Sequence, residues 1–239
     1  KWENNEWKLE GENNIISPQI CLLFGTRECL EGTSFYKKIK QIYPNSEVIS
    51  CSTAGNIIGE ELVDDTIVAT CIEFEHTTLK THLLDFKDHS NDETLICGKE
   101  LGVNLANQID KSELTYILVL STSNINAGSF LEGMNEVIKG ETPISGGVAG
   151  DNYQFKKTLV GLNEEIGEDR VVAISFHGKR LHTYHGSKGG WDIFGPRRTV
   201  TKSIGNVLLE IDGKPALDLY KKYLGDQSKE LPGAALHFP

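Results

Sequence analysis

The stretch Pro143-Ile144-Ser145-Gly146-Gly147-Val148-Ala149-Gly150-Asp151-Asn152 opens with a proline, places three glycines within five residues and closes with two polar side chains. Glycine lets the backbone adopt conformations and close approaches that a Cβ would prevent. The stretch therefore predicts a tight bend of the chain, at which another group comes close to the backbone. The earlier segment Val48–Asn56 shares its design, because in both an Ile-Ser pair is followed by Ala-Gly and a polar residue.

Two further pairs of segments repeat in the same order along the chain. Asp65–Ala69 resembles Asp169–Ala173, and Leu79–His82 resembles Leu181–Tyr184. We therefore expect an α/β fold with mixed sheets, built from two related halves at about 17–110 and 111–200, an internal duplication about a pseudo-twofold axis. In that arrangement Val48–Asn56 superposes on Pro143–Asp151.

Hydrophobic periodicity predicts strands and helices in alternation. The predicted strands are Ile20–Phe24, Val48–Cys51, Thr66–Glu75, Leu79–Leu84, Tyr116–Leu120, Leu159–Leu162, Arg170–Phe176 and Leu181–His185. The predicted helices begin near Thr33 with Phe35, Ile39 and Ile42 on one face, after a capping box at Ser90–Glu93, at Asn126 and at Pro215. A hairpin over Thr199–Ile211 precedes the last helix, so that a hairpin and a helix form a second region after the two halves.

Composition narrows the possible partners and compartment. The 239 residues carry a net charge of −10, which argues against nucleic acid and acidic membranes as partners. The five cysteines form no C-x-x-C motif and are expected to be free thiols in a cytoplasmic protein. The longest apolar runs are too short to span a bilayer. Residues 1–16 are expected to form a polar leader whose tryptophans dock on the body. Because the chain begins without Met and stops in an apolar stretch, we expect sequence to be missing at both ends.

Three short motifs are weak as signals of catalysis or cofactor binding. Ser145–Gly150 reads S-x-G-x-x-G but lacks a glycine and a following helix, both of which a dinucleotide site needs. Ser34–Lys37 matches S-x-x-K on an ordinary amphipathic helix. His182 and His185 lie on opposite sides of the predicted strand, which argues against a metal site. We therefore expect no cofactor, no metal and no catalytic residue.

The polar residues at the predicted strand ends have two interpretations. Ser52, Thr53, Asp151 and Asn152 can cap their own turns, as Asx and Ser/Thr side chains commonly do. Alternatively, related strand ends converge on one crevice and these residues bind a ligand, together with Ser123 and Asn124 after a third strand. Trp191 and Phe194 follow in a glycine-rich loop, as a lid over a pocket or as a plug that fixes the loop to the core.

Four blocks of sequence together resemble the FIST sensory domain: Ile49–Asn56, Ile144–Asn152, Gly190–Pro196 and Thr199–Gly225. The resemblance implies an intracellular ligand-sensing module attached to a signalling output domain or protein, with amino acids or similar metabolites as ligands. It also implies that residues 17–200 form the family's N-terminal domain and that 201–239 begin a truncated C-terminal domain.

The expected ligand site lies where Ser50–Gly55, Ser121–Asn124 and Ile144–Asn152 converge under a roof formed by 187–198. There Asp151 would bind an ammonium group, and Arg197 or Arg198 would bind a carboxylate. Trp191 would cover the apolar part of the ligand. The full set of expected ligand-binding residues is Ser52, Thr53, Ser123, Asn124, Gly147, Asp151, Asn152, Trp191, Arg197 and Arg198. The alternatives are a small-molecule hydrolase or transferase that uses these turns as an active site, and an interaction module without a ligand.

Overall fold

The computed structural model describes residues 1–9, 15–87, 98–140, 142–186, 188–190, 192 and 195–238. The chain divides into two compact units, 1–184 and 185–239.

The first unit contains thirteen of the described strands and four of the described helices. Its strands are β1 (Trp2–Glu3), β2 (Glu6–Trp7), β3 (Ile20–Gly25), β4 (Glu47–Ser52), β5 (Asn56–Ile58), β6 (Glu61–Val63), β7 (Ile67–Ile72), β8 (Thr78–Asp85), β9 (Leu114–Ser121), β10 (Ile144–Val148), β11 (Val160–Leu162), β12 (Glu165–Gly167) and β13 (Arg170–His177). Its helices are α1 (Arg27–Leu30), α2 (Ser34–Ile42), α3 (Gly98–Gln108) and α4 (Ala127–Ile138).

Most of these strands form two mixed sheets. A seven-stranded sheet has the order β12-β11-β4-β3-β7-β1-β2, and a four-stranded sheet has the order β10-β9-β13-β8. In each sheet one parallel pair, β3–β4 or β9–β10, is flanked by an antiparallel strand, β7 or β13. The prediction of an α/β fold with mixed sheets is confirmed. The shared strand order agrees with a duplication, which itself stays a prediction.

The two sheets pack face to face between two layers of helices. One apolar cluster joins Ile20 and Ile49 of the larger sheet to Val172 and Ile174 of the smaller one. Alternate residues of β3 and β4 point the other way and bury the apolar faces of α1 and α2. The opposite face of the smaller sheet is covered by α3 and α4. Because side chains alternate along a strand, a central strand has both faces buried, and β13 is buried over its whole length.

The helices α3 and α4 cross at glycine contacts. A Cβ on Gly102 would lie 2.1 Å from the Phe130 carbonyl oxygen, and one on Gly133 would lie 2.0 Å from the Lys99 carbonyl oxygen. Glycine is therefore the residue that lets the two backbones meet at this distance. Asn126 caps α4, since its Oδ1 accepts from the Ser129 N–H at 3.0 Å, as its position before the apolar repeat predicts.

The N-terminal segment adds a small hairpin to the larger sheet. Strand β1 pairs with β2 and with β7, and the rings of Trp2 and Trp7 pack against the helix-side cluster. The indole N–H of Trp7 donates to the Phe35 carbonyl at 3.1 Å. The tryptophans of the polar leader thus dock on the body, while its pairing into strands was not predicted.

The second unit is a hairpin followed by a helix. It contains β14 (Val200–Ile204), β15 (Val207–Ile211), β16 (Lys214–Pro215), α5 (Ala216–Leu224) and 3₁₀ segments at Gly225–Glu230 and Gly233–Leu236. The predicted hairpin over Thr199–Ile211 and the helix after Pro215 both form.

Three sequence predictions need correction. Leu181–His185 is not a strand, and β13 pairs instead with β8 and β9 on its two sides. Ile42 is exposed although it shares the periodicity of the buried residues of α2. The glycine stretch is extended through Val148 as β10, because Gly146 lets it run so close to β9 that a Cβ would lie 1.7 Å from the Val119 carbonyl oxygen. The capping box at Ser90–Glu93 lies outside the described residues.

We predict that Gly133→Ala destabilises the protein by about 1–3 kcal/mol, because the added methyl group meets backbone that cannot move aside. The matched control is Gly128→Ala in the same helix, where the nearest atom to a Cβ is the Asn126 side-chain oxygen at 3.5 Å. The control should be neutral or stabilising by up to about 1 kcal/mol, since alanine favours helix. Urea unfolding measures both, and equal stability of the two variants would contradict the close crossing.

Candidate functional site

The carboxyl ends of four strands from both sheets are joined by backbone hydrogen bonds. The Thr53 N–H donates to the Gly25 carbonyl at 2.9 Å, which ties the end of β4 to that of β3. The Gly150 N–H donates to the Ser52 carbonyl at 2.8 Å, and the Ala149 N–H donates to the Ser121 carbonyl at 2.8 Å. The three segments that sequence reasoning expected to converge therefore lie together.

Buried hydroxyl groups extend this joint towards β11. The Ser52 Oγ accepts from the Leu159 N–H at 2.9 Å, and the Ser52 N–H donates to the Leu159 carbonyl at 2.8 Å. Next to it, the Thr158 Oγ1 accepts from the Ser123 N–H at 2.8 Å and donates to the Ser123 Oγ at 3.1 Å. The Ser52 side chain thus fixes β4 to its neighbour β11 within the larger sheet. Thr158 links that sheet to Ser123, an exposed residue after β9 of the smaller sheet.

Thr53 and Asn124 mainly cap local structure. The Thr53 hydroxyl bonds the Asn56 Oδ1 at 2.9 Å, and the Asn56 amide donates to the Thr66 carbonyl at 3.3 Å. The Asn124 amide donates to Asp169, and its Oδ1 accepts from the Thr122 hydroxyl at 2.8 Å. For these two side chains the contacts match the turn-capping interpretation.

Asp151 is the central charged group of the crevice. Its Oδ1 accepts from the Phe155 N–H at 3.0 Å, and its Oδ2 accepts from the N–H groups of Lys156 at 2.6 Å and Lys157 at 3.1 Å. Burial alone would raise the pKa of Asp151, but these three donors, with a smaller contribution from the Arg27 charge, lower the pKa below its ordinary value. The carboxylate therefore stays ionised and orders the loop that follows β10.

Arg27 lies at the same crevice and was missed by sequence reasoning. It begins α1 directly after β3, and its side chain is only 14% exposed. Its Nη2 bonds the Glu28 carboxylate at 2.7 Å and the Gln154 Oε1 at 2.9 Å. Its buried Nε makes no hydrogen bond within the described residues, and the Glu31 carboxylate lies 4.0 Å from it. The neighbouring Thr26 hydroxyl is also buried and has no hydrogen bond among the described residues.

An open strand edge borders the crevice. Strand β10 is the edge strand of its sheet, and its residues Gly146, Gly147 and Val148 are exposed. The Ala149 N–H and the Pro143 carbonyl bond β9, so the register directs the polar groups of Gly146 and Val148 outwards. Around Gly147 no described atom lies within 4 Å of where a Cβ would be, which leaves room for a bound molecule. Asn152 follows, exposed and with a φ of 54°.

The other expected site residues belong to the second unit. Arg198 bonds the Asp212 carboxylate at 2.9 Å and the Tyr223 hydroxyl at 2.9 Å, and borders a cleft of about 440 Å³ between the hairpin and α5. Arg197 is exposed. Trp191, Phe194 and Ser187 lie outside the described residues, so the expected roof over the site stays a prediction.

Neither a metal site nor a membrane-crossing helix is found among the residues that the structure describes. No three His, Cys, Asp or Glu side chains are grouped there to hold an ion. None of the described helices combines the length and the apolar character needed to cross a bilayer.

Comparison with known families identifies the family to which the chain belongs. The model of the FIST N domain matches residues 19–214. The chain belongs to the FIST N domain family. The resemblance carried by Ile49–Asn56 and Ile144–Asn152 is thus confirmed, and these two segments supply two of the four strand ends of the crevice. FIST domains are sensory domains of signal transduction.

A relative is found in Methanocaldococcus jannaschii, where it is described as an uncharacterized protein. It is 26% identical to the present protein over 200 residues, which cover 80% of the present chain and 38% of the relative. The present chain therefore spans well under half the length of that relative.

We predict that Asp151→Asn lowers the free energy of unfolding at pH 7 by about 2 kcal/mol, because hydrogen bonds to a charged acceptor are lost. The pKa of Asp151 is lowered in the folded state. Its contribution is therefore fully present above the unfolded value of about 3.9 and is lost as the pH falls through the folded value. The stability difference between wild type and variant should shrink between about pH 5 and pH 2.

The control for Asp151→Asn is Glu60→Gln in the exposed turn between β5 and β6. Denaturant unfolding across this pH range should show little effect of the control. A difference between wild type and Asp151→Asn that does not change with pH would contradict the role given to the carboxylate.

Proposed function

We propose that this FIST domain is the ligand-binding part of a signalling protein and binds a small zwitterionic metabolite, an amino acid or a close analogue, at the crevice between the four strand ends. The observation that carries the proposal is the presence of Arg27 and Asp151, two largely buried opposite charges, where both sheets expose their carboxyl ends. In open α/β sheets, ligands bind in the crevice at this end of the strands.

Arg27 suits the carboxylate of such a ligand. A guanidinium has five N–H donors arranged as a fork that matches a carboxylate. The Arg27 Nη2 is used by Glu28 and Gln154, while the Nε makes no hydrogen bond within the described residues. This side chain takes the role that sequence reasoning gave to Arg197 or Arg198, and Arg198 has its own partners in Asp212 and Tyr223.

Asp151 suits the ammonium group. An ionised carboxylate offers about four acceptor positions, and three of those of Asp151 are taken by backbone N–H groups. The remaining position binds an ammonium without disturbing the loop. Exposed Ser123 and Asn152 add hydrogen-bonding groups, and Gly147 leaves space for the ligand backbone.

Binding is transmitted as a signal through the loop that Asp151 orders. Gln154 in this loop contacts both Arg27 and Glu28 of α1, the latter at 3.0 Å. A ligand that takes over Arg27 would release Gln154 and alter this contact between loop and helix. The output is a signalling domain elsewhere in the same protein or a separate partner protein.

We predict that calorimetry with a panel of amino acids, chosen by a prior thermal-shift screen, finds at least one ligand. Arg27→Gln should weaken its binding on the order of 30-fold or more, the equivalent of about 2 kcal/mol for a lost partner of a buried charge. Replacing the ligand carboxylate by an amide should weaken wild type similarly but have little further effect on Arg27→Gln.

The control for Arg27→Gln is Arg180→Gln, which changes an exposed arginine in the turn after β13. It should bind the ligand as wild type does. Equal affinities of the two variants, with both shown to be folded by thermal unfolding, would remove Arg27 from the site. Absence of any amino-acid ligand would overturn the proposed ligand class.

A further inference from the structure

Two cysteines lie side by side on neighbouring strands of the larger sheet, on its helix-covered face. Cys21 of β3 and Cys71 of β7 are direct partners in the antiparallel register, and their sulfur atoms lie 3.0 Å apart. Both are free thiols in the structure. Since a disulfide bond is about 2.05 Å long, the two sulfurs need to approach by only about 1 Å to form one.

The backbone at this position permits the bond. The carbonyl group of Gly25 bonds the end of β4, and the N–H of Thr26 bonds the Thr66 carbonyl before β7, so even-numbered residues of β3 bond β7. Cys21 and Cys71 are therefore a non-hydrogen-bonded pair, in which the Cα atoms are about 4.5 Å apart. Disulfides span Cα separations of about 4.4–6.8 Å, so no strand has to move far.

The two thiols differ in accessibility. Cys21 is completely buried against the helix layer, whereas Cys71 is partly exposed and lines a cleft of about 350 Å³ together with Trp7, Ile39 and Tyr43. A small oxidant in this cleft meets Cys71 first. Cys21 then stands directly behind it, in the position of a resolving thiol.

We propose that Cys21 and Cys71 form a redox-active pair that reacts with peroxide to give a reversible disulfide between β3 and β7. The hydrogen bond from Cys71 lowers the pKa of Cys21, burial opposes this, and Ser46 and Lys40 add to the lowering. The same contact raises the pKa of Cys71. The first proton therefore leaves from Cys21, and the resulting thiolate accepts the proton of Cys71 when Cys71 reacts.

The reaction balances with hydrogen peroxide as the oxidant. The Cys71 sulfur attacks one peroxide oxygen as its proton passes to Cys21, so that an S–O bond forms, the O–O bond breaks and hydroxide leaves. The Cys21 sulfur then attacks the Cys71 sulfenic acid, so that the S–S bond forms as the S–O bond breaks, and the Cys21 proton joins the leaving hydroxide to give water. Two electrons pass from the two sulfurs to peroxide, and a thiol reductant reverses the change.

Peptide mapping of the folded chain tests this proposal. The protein is treated with hydrogen peroxide, its remaining thiols are alkylated, and digests are compared with and without dithiothreitol. We expect a peptide pair linked through Cys21 and Cys71 that dithiothreitol separates. The linked pair should persist in Cys29→Ser, which removes a partly exposed cysteine outside the pair, and should vanish in Cys71→Ser.

Wild-type mapping decides the outcome even if a variant fails to fold. Recovery of Cys21 and Cys71 as alkylated peptides after peroxide, or a sulfenic acid on Cys71 that does not proceed to the disulfide, would overturn the proposal. So would linked peptides that join other cysteines with equal yield. Cys51 is an internal reference, because burial raises its pKa to about 12 and it should stay unmodified.

Discussion

The hydrogen bond from the Gly150 N–H to the Ser52 carbonyl is the contact on which the arrangement of the first unit depends. It joins the end of β4 in one sheet to the turn after β10 in the other. Side-chain and backbone bonds between Ser52 and Leu159 fix the end of β4 within the larger sheet, and Thr158 bonds Ser123 after β9 of the smaller one. Polar backbone groups at buried strand ends must be hydrogen-bonded, and here each sheet provides hydrogen-bonding groups for the other. The crevice with Arg27 and Asp151 exists because both sheets end at this joint.

Exchange of strands makes the two sheets interdependent. Strand β8, from the first half of the chain, completes the four-stranded sheet beside β13. Strand β11, from the second half, extends the seven-stranded sheet beside β4. Each half therefore buries its apolar strand faces with help from the other. Glycines set how closely neighbouring elements within a layer approach, at Gly146 between two strands and at Gly133 between two helices.

Much of this fold could be predicted from the sequence because the local periodicity of apolar residues indicates its main strands and helices. The strands β3, β4, β9 and β13 and the helices α2 and α4 follow from apolar spacing and, for α4, from a capping asparagine. Leu181–His185 has the same alternating pattern without forming a strand, since β13 already has neighbours on both sides. The pairs that sequence alone does not reveal are long-range ones, such as β11 with β4. Two-residue strands such as β1 carry too little pattern to be predicted.

The site could be located from the sequence, but its chemistry could not. Repeated polar turns after strands indicated which ends would meet. Backbone N–H groups occupy the Ser52 hydroxyl and the Asp151 carboxylate. These groups belong to Leu159 and to the loop at 155–157, whose positions are set by the fold. Arg27 stands at an ordinary helix start, and its partner Gln154 lies 127 residues away in the sequence. No local pattern distinguishes such an arginine from a solvated one.

Amide hydrogen exchange, followed residue by residue by NMR, tests the joint between the sheets most directly. If both sheets are held together at their strand ends, the Gly150 amide should exchange only through global unfolding, as the core amides of β13 do. The Gly146 amide on the open edge of β10 should exchange fast and serves as the reference within the same segment. Fast exchange at Gly150, with β13 still protected, would contradict the account.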